Sequence, residues 1–78
     1  MAMNKKDREE LNRAVELIET GKQIIEAFRD ENQDTFDEMS ESAQEGARGE
    51  KIGELIDSLQ EACDSCDEAC ATIEGLIE

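Results

Sequence analysis

The 78-residue sequence contains no proline, tryptophan, tyrosine or histidine, and its only aromatic residues are Phe28 and Phe36. Without histidine or tyrosine, and without a glycine-rich loop beside a strand, the chain lacks the common general bases and phosphate-binding loops of enzymes. Carboxylates are abundant, but no pattern among them predicts a concave catalytic pocket. The sequence therefore predicts a protein that is not an enzyme and uses no cofactor.

Long hydrophobic runs are also absent. No apolar segment has the length that crosses a bilayer, and the N-terminal residues lack the apolar stretch of a signal peptide. The three cysteines, Cys63, Cys66 and Cys70, are an odd number on one short segment, which favours reduced thiols over a secreted disulfide framework. We expect a soluble, cytoplasmic protein that does not contact membranes.

Basic residues are scarce in one half of the chain only. Residues 1–29 carry equal numbers of acids and bases, whereas residues 30–78 contain sixteen acids against Arg48 and Lys51, so this part carries the whole net charge of −14. Direct nucleic-acid binding requires a basic face, which this half lacks. The charge distribution indicates a protein partner with a basic surface.

The spacing of the apolar residues predicts helices. In the first half they recur at three and four residues, at Leu11, Ala14, Val15, Leu17, Ile18, Ile24, Ile25 and Phe28. From Ile52 the second half reads as heptads, with position a at Ile52, Leu59, Cys66 and Ile73, position d at Leu55, Ala62, Ala69 and Leu76, and position e at Ile56, Cys63, Cys70 and Ile77. We predict an all-α fold forming one domain over residues 1–78: a helix over 4–38, a turn over 39–45 and an antiparallel helix over 46–77.

One neighbouring helix cannot cover stripes as wide as these. A chain this short also builds a small core, which favours association with another chain. The sequence therefore predicts a homodimer in which two hairpins form a four-helix bundle. We expect its interface to include Leu11, Ile18, Ile25, Leu55, Leu59, Cys66, Ile73 and Leu76.

The turn region resembles a known group of proteins. Residues 33–44, QDTFDEMSESAQ, and the later Arg48-Gly49-Glu50 are similar to the pattern Q-x-x-F-D-x-[LM]-P-E-G-L-Q followed by S-E-R-G-E in short acidic helical-hairpin proteins of bacteriophages and prophages. Most members of that group have no known function. The chain departs from the pattern at Ser40, Ser42 and Ala43, which stand in place of Pro, Gly and Leu. The resemblance implies a phage origin, a helical hairpin and a location in the host cytoplasm, and it implies no catalytic residue.

Two metal hypotheses arise from spacing. Five polar or acidic residues match the spacing of the side-chain ligands in an EF-hand calcium loop: Asp30, Asn32, Asp34, Glu38 and Glu41. Thr35, however, stands where that loop needs glycine. In the second helix, Cys63, Cys66 and Cys70 could share a soft metal, yet all three lie within the apolar stripe, where cysteine commonly packs as a small core residue. A solvated helix end and core packing are the respective alternatives, and we predict no metal.

An acidic line on the second helix points to a partner. Heptad positions c and f place carboxylates every three or four residues, about 5 Å apart along the axis, at a spacing near that of phosphates in a nucleic-acid strand. We predict binding to a basic protein surface, with inhibition of a host nucleic-acid-handling or defence protein by mimicry, through Glu54, Asp57, Glu61, Asp64, Glu68, Phe36, Met39 and Arg48. A structural protein acting by self-association is the alternative, and a calcium-binding helix-loop-helix module is a third. For Arg48, a local ion pair with Glu41 or Glu45 competes with a partner contact.

Overall fold

Two long helices dominate the fold. A computed structural model of the protein describes residues 3–78, in which α1 spans Lys5–Glu38, a short α2 spans Glu41–Glu45 and α3 spans Ala47–Ile77. Helices α1 and α3 pack against each other along an elongated molecule 58 Å long. The predicted all-α hairpin is confirmed, with the difference that the predicted turn contains α2. Residues 1 and 2 of the predicted domain lie outside the described residues.

Local sequence sets the start of α1 and of α2. The Asn4 side chain accepts a hydrogen bond from the backbone N–H of Asp7 at 2.8 Å, and the Asp7 carboxylate accepts one from the backbone N–H of Asn4. This reciprocal capping satisfies N–H groups that have no partner inside the helix. The Ser40 hydroxyl accepts from the backbone N–H of Ala43 and caps α2 in the same way.

The contact between the long helices is a seam of half-buried and buried residues that recur at alternating steps of three and four. On α1 the seam consists of Leu11, Val15, Ile18, Lys22, Ile25, Arg29, Asn32 and Phe36, and on α3 of Gly49, Ile52, Ile56, Leu59, Cys63, Cys66, Cys70, Ile73 and Ile77. Among the described residues, the buried apolar side chains are Val15, Cys63 and Cys70, so the core is thin. In the heptad frame, α3 therefore uses positions a and e against α1, and position d lies outside the seam.

Two polar contacts join the antiparallel helices at one side of the seam. Lys22 Nζ lies 2.6 Å from Asp67 Oδ1, and Arg29 donates to the side-chain oxygen of Gln60 at 2.7 Å. The two contacts are seven residues apart on each helix, so they repeat the same interhelical offset. Because each side chain leans toward the N-terminus of its own helix, the paired residues themselves do not lie level, and the Cys70 thiol contacts the carbonyl oxygen of Val15 at 3.9 Å. The aliphatic stems of Lys22 and Arg29 take seam positions while their charged ends reach the solvent at one side of it.

The turn is held by Gln44 and Gly49. The Gln44 side-chain amide donates to the carbonyl oxygens of Phe36, at 2.8 Å, and Met39, at 3.3 Å, which satisfies acceptors at the C-terminal end of α1. Gly49, in the first turn of α3, is buried against the backbone of Gln44, and a Cβ at this position would come within 2.6 Å of the Gln44 Cα and closer still to its carbonyl oxygen. Glycine is required here because α3 passes directly over the backbone of α2.

Candidate interaction surfaces

The acidic row consists of Glu54, Asp57, Glu61, Asp64 and Glu68 on α3. All five side chains are exposed, and they follow one another at steps of three and four residues along one line of the helix. Asp64 accepts a hydrogen bond from the Gln60 amide at 3.0 Å. Within residues 3–78 the ion pairs involve other carboxylates, so the members of the row are exposed and unpaired.

The cations nearest to the middle of the hairpin are already engaged. Lys22 is paired with Asp67, and this hydrogen bond raises the pKa of Lys22 above its usual value. Arg29 contacts Asp30 at 3.0 Å as well as Gln60, and the bond to Asp30 raises the pKa of Arg29. Both cations therefore stay charged at neutral pH, yet neither neutralises the acidic row.

The predicted partner residues of the turn occupy different surroundings. Phe36 is half-buried and lines a shallow cleft of about 170 Å³ together with Gln33, Gly53, Ile56 and Asp57, so the structure brings Phe36 beside a member of the acidic row. Met39 is also half-buried, and its carbonyl accepts from Gln44.

Arg48 does not make the local ion pair that was one reading of the sequence. It is exposed, and neither Glu41 nor Glu45 lies within ion-pair distance among the described residues. The reason is geometric: α2 ends at Glu45 and Gly46 turns the chain, so α3 starts in a new direction and separates these side chains.

The cysteines are core residues of the seam. Cys63 is 1 % exposed, Cys70 is buried with its thiol 3.9 Å from the carbonyl oxygen of Val15, and Cys66 is half-buried. All three are free thiols, and burial raises the pKa of Cys63 and of Cys70. Such thiols are poor nucleophiles, which agrees with the core-packing alternative.

The structure does not bring the residues of the calcium-loop hypothesis together. Asp30, Asn32, Asp34 and Glu38 all lie within α1, and Glu41 begins α2. In a continuous helix, side chains at relative positions 1, 3 and 5 point in different directions, so they cannot converge as they do in an EF-hand loop. No group of three or more potential metal-binding side chains comes together among residues 3–78.

The other side of the hairpin is almost free of charge. We define the uncharged face by the residues that flank the seam away from the Lys22–Asp67 contact: Ala14, Leu17, Gly21, Ile24 and Phe28 on α1, and Leu55, Ser58, Ala62, Ser65, Ala69, Thr72 and Leu76 on α3. Its large apolar side chains are strongly exposed, with Leu17 at 61 %, Ile24 at 69 % and Leu76 at 58 %. Spacing alone could not separate this face from the seam, because both fall within one wide apolar stripe.

The residues predicted for the dimer interface divide between these two surfaces. Leu55 and Leu76 lie on the uncharged face, where they are open to contact. The other six lie in the seam, where α1 and α3 already half-cover them: Leu11, Ile18, Ile25, Leu59, Cys66 and Ile73.

Sequence reasoning did not single out Gln44 and Gly49, although they organise the turn. A glutamine and a glycine outside a regular motif carry little signal of their own, since both commonly occur on surfaces and in turns. The available signal was the resemblance to the phage pattern, which retains a glutamine and a glycine at these two positions together with Phe36.

Within the described part of the chain, no helix combines the length and apolarity needed to cross a bilayer. Comparison with protein-family models, with curated proteins and with solved structures found no match to this chain.

Proposed function

We propose that this chain is a non-enzymatic interaction protein that binds a basic surface of another protein through the acidic row. The observation that supports the proposal is that the five carboxylates of the acidic row are exposed and that none of them forms an ion pair among the described residues. An unpaired row of one sign produces a continuous field that attracts a complementary surface and repels nucleic acid. The Phe36 cleft beside Asp57 offers an apolar contact next to the charged one.

The kind of partner follows from the spacing of the charges. Carboxylates on successive turns of one helix repeat at about 5 Å, and a groove that accepts a phosphate backbone can accept such a line. The proposed target is therefore a nucleic-acid-handling or defence protein of a bacterial host, and the proposed effect is inhibition. The resemblance of residues 33–50 to phage proteins supports the same setting.

The experiment is charge reversal with competition. The chain is immobilised and exposed to bacterial lysate in about 50 mM and about 200 mM salt, and retained proteins are released with duplex DNA and identified by mass spectrometry. We expect DNA-binding proteins to be retained at low salt, to be released by DNA, and to be lost when Asp57, Glu61 and Asp64 are changed to Lys.

The matched control reverses three acids of α1 that lie outside the row, Glu9, Glu10 and Glu16. This variant changes the net charge by the same amount as the row variant. If the acidic row is the binding surface, the control variant should retain the same lysate proteins as wild type. Equal loss in both variants would show that only total charge matters, and retention by the row variant would exclude the row.

A second candidate function is assembly by self-association, with two hairpins forming a four-helix bundle. The observation that favours it is the uncharged face, which exposes Leu17, Ile24 and Phe28 in a chain where 38 % of residues are charged. Exposed apolar faces of this extent are characteristic of protein interfaces. In this case charge reversal in the acidic row would leave activity unchanged, whereas a charge on the apolar surfaces would abolish it.

A further inference from the structure

The uncharged face is distinguished first by what it lacks. Charged side chains make up 38 % of the sequence, yet this face carries none from Ala14 to Phe28 on α1 and from Leu55 to Leu76 on α3, and Glu31 follows beyond Phe28 on the same line of α1. Ser58, Ser65 and Thr72 occupy positions where the rest of α3 carries acids. A membrane surface is a poor occupant, because anionic lipids repel a chain with a net charge of −14. A basic partner would also find no carboxylate in the middle of the face.

The surface area indicates how large the missing contact is. The chain exposes 5909 Å², whereas a folded monomer of 8.7 kDa typically exposes about 4,700 Å². The excess of roughly 1,200 Å² exceeds the roughly 800 Å² that each partner contributes to a standard stable interface. The hairpin therefore has enough surface for one further stable contact.

The arrangement of large and small side chains on the face indicates which molecule binds it. The side chains that protrude from its middle are on α1, and the Lys22–Asp67 and Arg29–Gln60 contacts place small residues of α3 beside them. Alongside the stretch of α1 from Leu17 to Phe28, the residues that α3 contributes to the face are all small: Ser58, Ala62, Ser65, Ala69 and Thr72. The large residues of α3 on this face, Leu55 and Leu76, lie beyond the two ends of this small stretch.

We propose that this face binds a second copy of the chain, with the two-fold axis parallel to the helices, so that α1 of each copy packs on α3 of the other. This arrangement rests on the self-association candidate above and specifies its interface. Only an axis in this direction brings α1 of one copy opposite α3 of the other, so that Leu17, Ile24 and Phe28 meet the small stretch of α3. Gly21, between Leu17 and Ile24, keeps the middle of α1 small enough for close approach of the helices.

Charges at the turn end fit the same arrangement. Lys51 lies in the first turns of α3 at the edge of the uncharged face, and Glu38 is the last residue of α1 at the same end of the hairpin. Neither residue has an ion-pair partner among residues 3–78. The proposed two-fold axis places Lys51 of one copy beside Glu38 of the other, twice per dimer. The acidic rows point away from the interface, which limits repulsion between the two chains.

The test compares two neighbouring substitutions to Glu by sedimentation equilibrium at about 50 μM, with circular dichroism to follow helicity. Wild type should sediment at twice the chain mass. Ile24→Glu should sediment as a monomer with its helicity retained, because this side chain is 69 % exposed in the hairpin. Gln23→Glu adds the same charge outside the face and should remain dimeric.

The axis is tested by a charge exchange. Lys51→Glu should weaken the dimer on the order of tenfold, and adding Glu38→Lys to it should restore the affinity. A monomeric wild type would overturn the proposal together with self-association. A dimer that persists in Ile24→Glu would overturn the face but leave self-association standing, and failure of the charge exchange to restore affinity would overturn the axis. Charge reversal of the acidic row should leave the dimer intact, so the proposal for each surface can be refuted without affecting the other.

Discussion

Replacement of Gly49 by Ala should destabilise the hairpin, although alanine is normally the better helix former. A Cβ at this position would lie 2.6 Å from the Cα of Gln44, and backbone atoms cannot move aside as a flexible side chain can. Overpacking of this kind typically costs about 1–3 kcal/mol. Displacement of Gln44 would also weaken its bonds to Phe36 and Met39, at about 0.5–1.5 kcal/mol each.

The helix propensity of alanine offsets about 1 kcal/mol of that cost. We therefore expect a net loss of about 1–5 kcal/mol, which is a large part of the stability of so small a domain. The measurement is urea denaturation followed by circular dichroism, with the midpoint and the slope fitted separately.

Gly53→Ala is the matched control, because a Cβ there has no atom within 4 Å. It lies one helical turn further along α3, and the same change should stabilise the protein by up to about 1 kcal/mol. Opposite signs at the two positions would support the close approach of α3 to the turn. If Gly49→Ala were as stable as wild type or more stable, the reasoning about this contact would be refuted.

Three further predictions concern the turn, the thiols and the net charge. Gln44→Ala should cost about 1–2 kcal/mol in the same denaturation assay, because the Met39 carbonyl loses its side-chain donor and the Phe36 carbonyl keeps only the backbone N–H of Met39; no change would show that water replaces the amide equally well. Burial raises the pKa of Cys63 and Cys70 above 9.0, so the buried neutral thiols contribute fully to the free energy of unfolding below that pH, and this contribution declines as the pH rises past it. The Cys63→Ala, Cys70→Ala double variant should therefore lose stability less steeply above pH 9.0 than wild type, and equal slopes would contradict this. Raising the salt concentration from about 0.05 to about 0.5 M should stabilise the hairpin, because it screens the repulsion of a net charge of −14, and a lower denaturation midpoint at high salt would count against it.

The sequence predicts the helices well because their signals are local. The apolar spacing predicts a first helix over 4–38, and α1 begins within one residue of that position, at Lys5. The antiparallel return also follows, since a short connection leaves no other way to cover both stripes. The acidic row was equally accessible, because exposed charges at helical spacing need no tertiary information.

The division of the apolar stripe was not accessible from spacing. Ile24 fits the apolar pattern of α1 as well as Ile25 does, yet Ile24 is 69 % exposed while Lys22 and Arg29 occupy seam positions. An apolar stripe wide enough to contact two helices does not reveal which part of it packs against the other helix of the hairpin. That choice depends on long-range partners, here Asp67 and Gln60, which lie on the other helix.

The spacing of those partners has a consequence for how the chain can slip. Lys22 and Arg29 are one heptad apart, and so are Gln60, Asp67 and Glu74 on α3. Sliding α3 by one heptad, about 10 Å, would offer Asp67 to Arg29 and Glu74 to Lys22, a charge pairing at least as favourable as the observed one. The polar contacts of the seam therefore cannot select the register alone. The contacts that join Gln44, Gly49 and the end of α1 must therefore select the observed register over one shifted by a heptad.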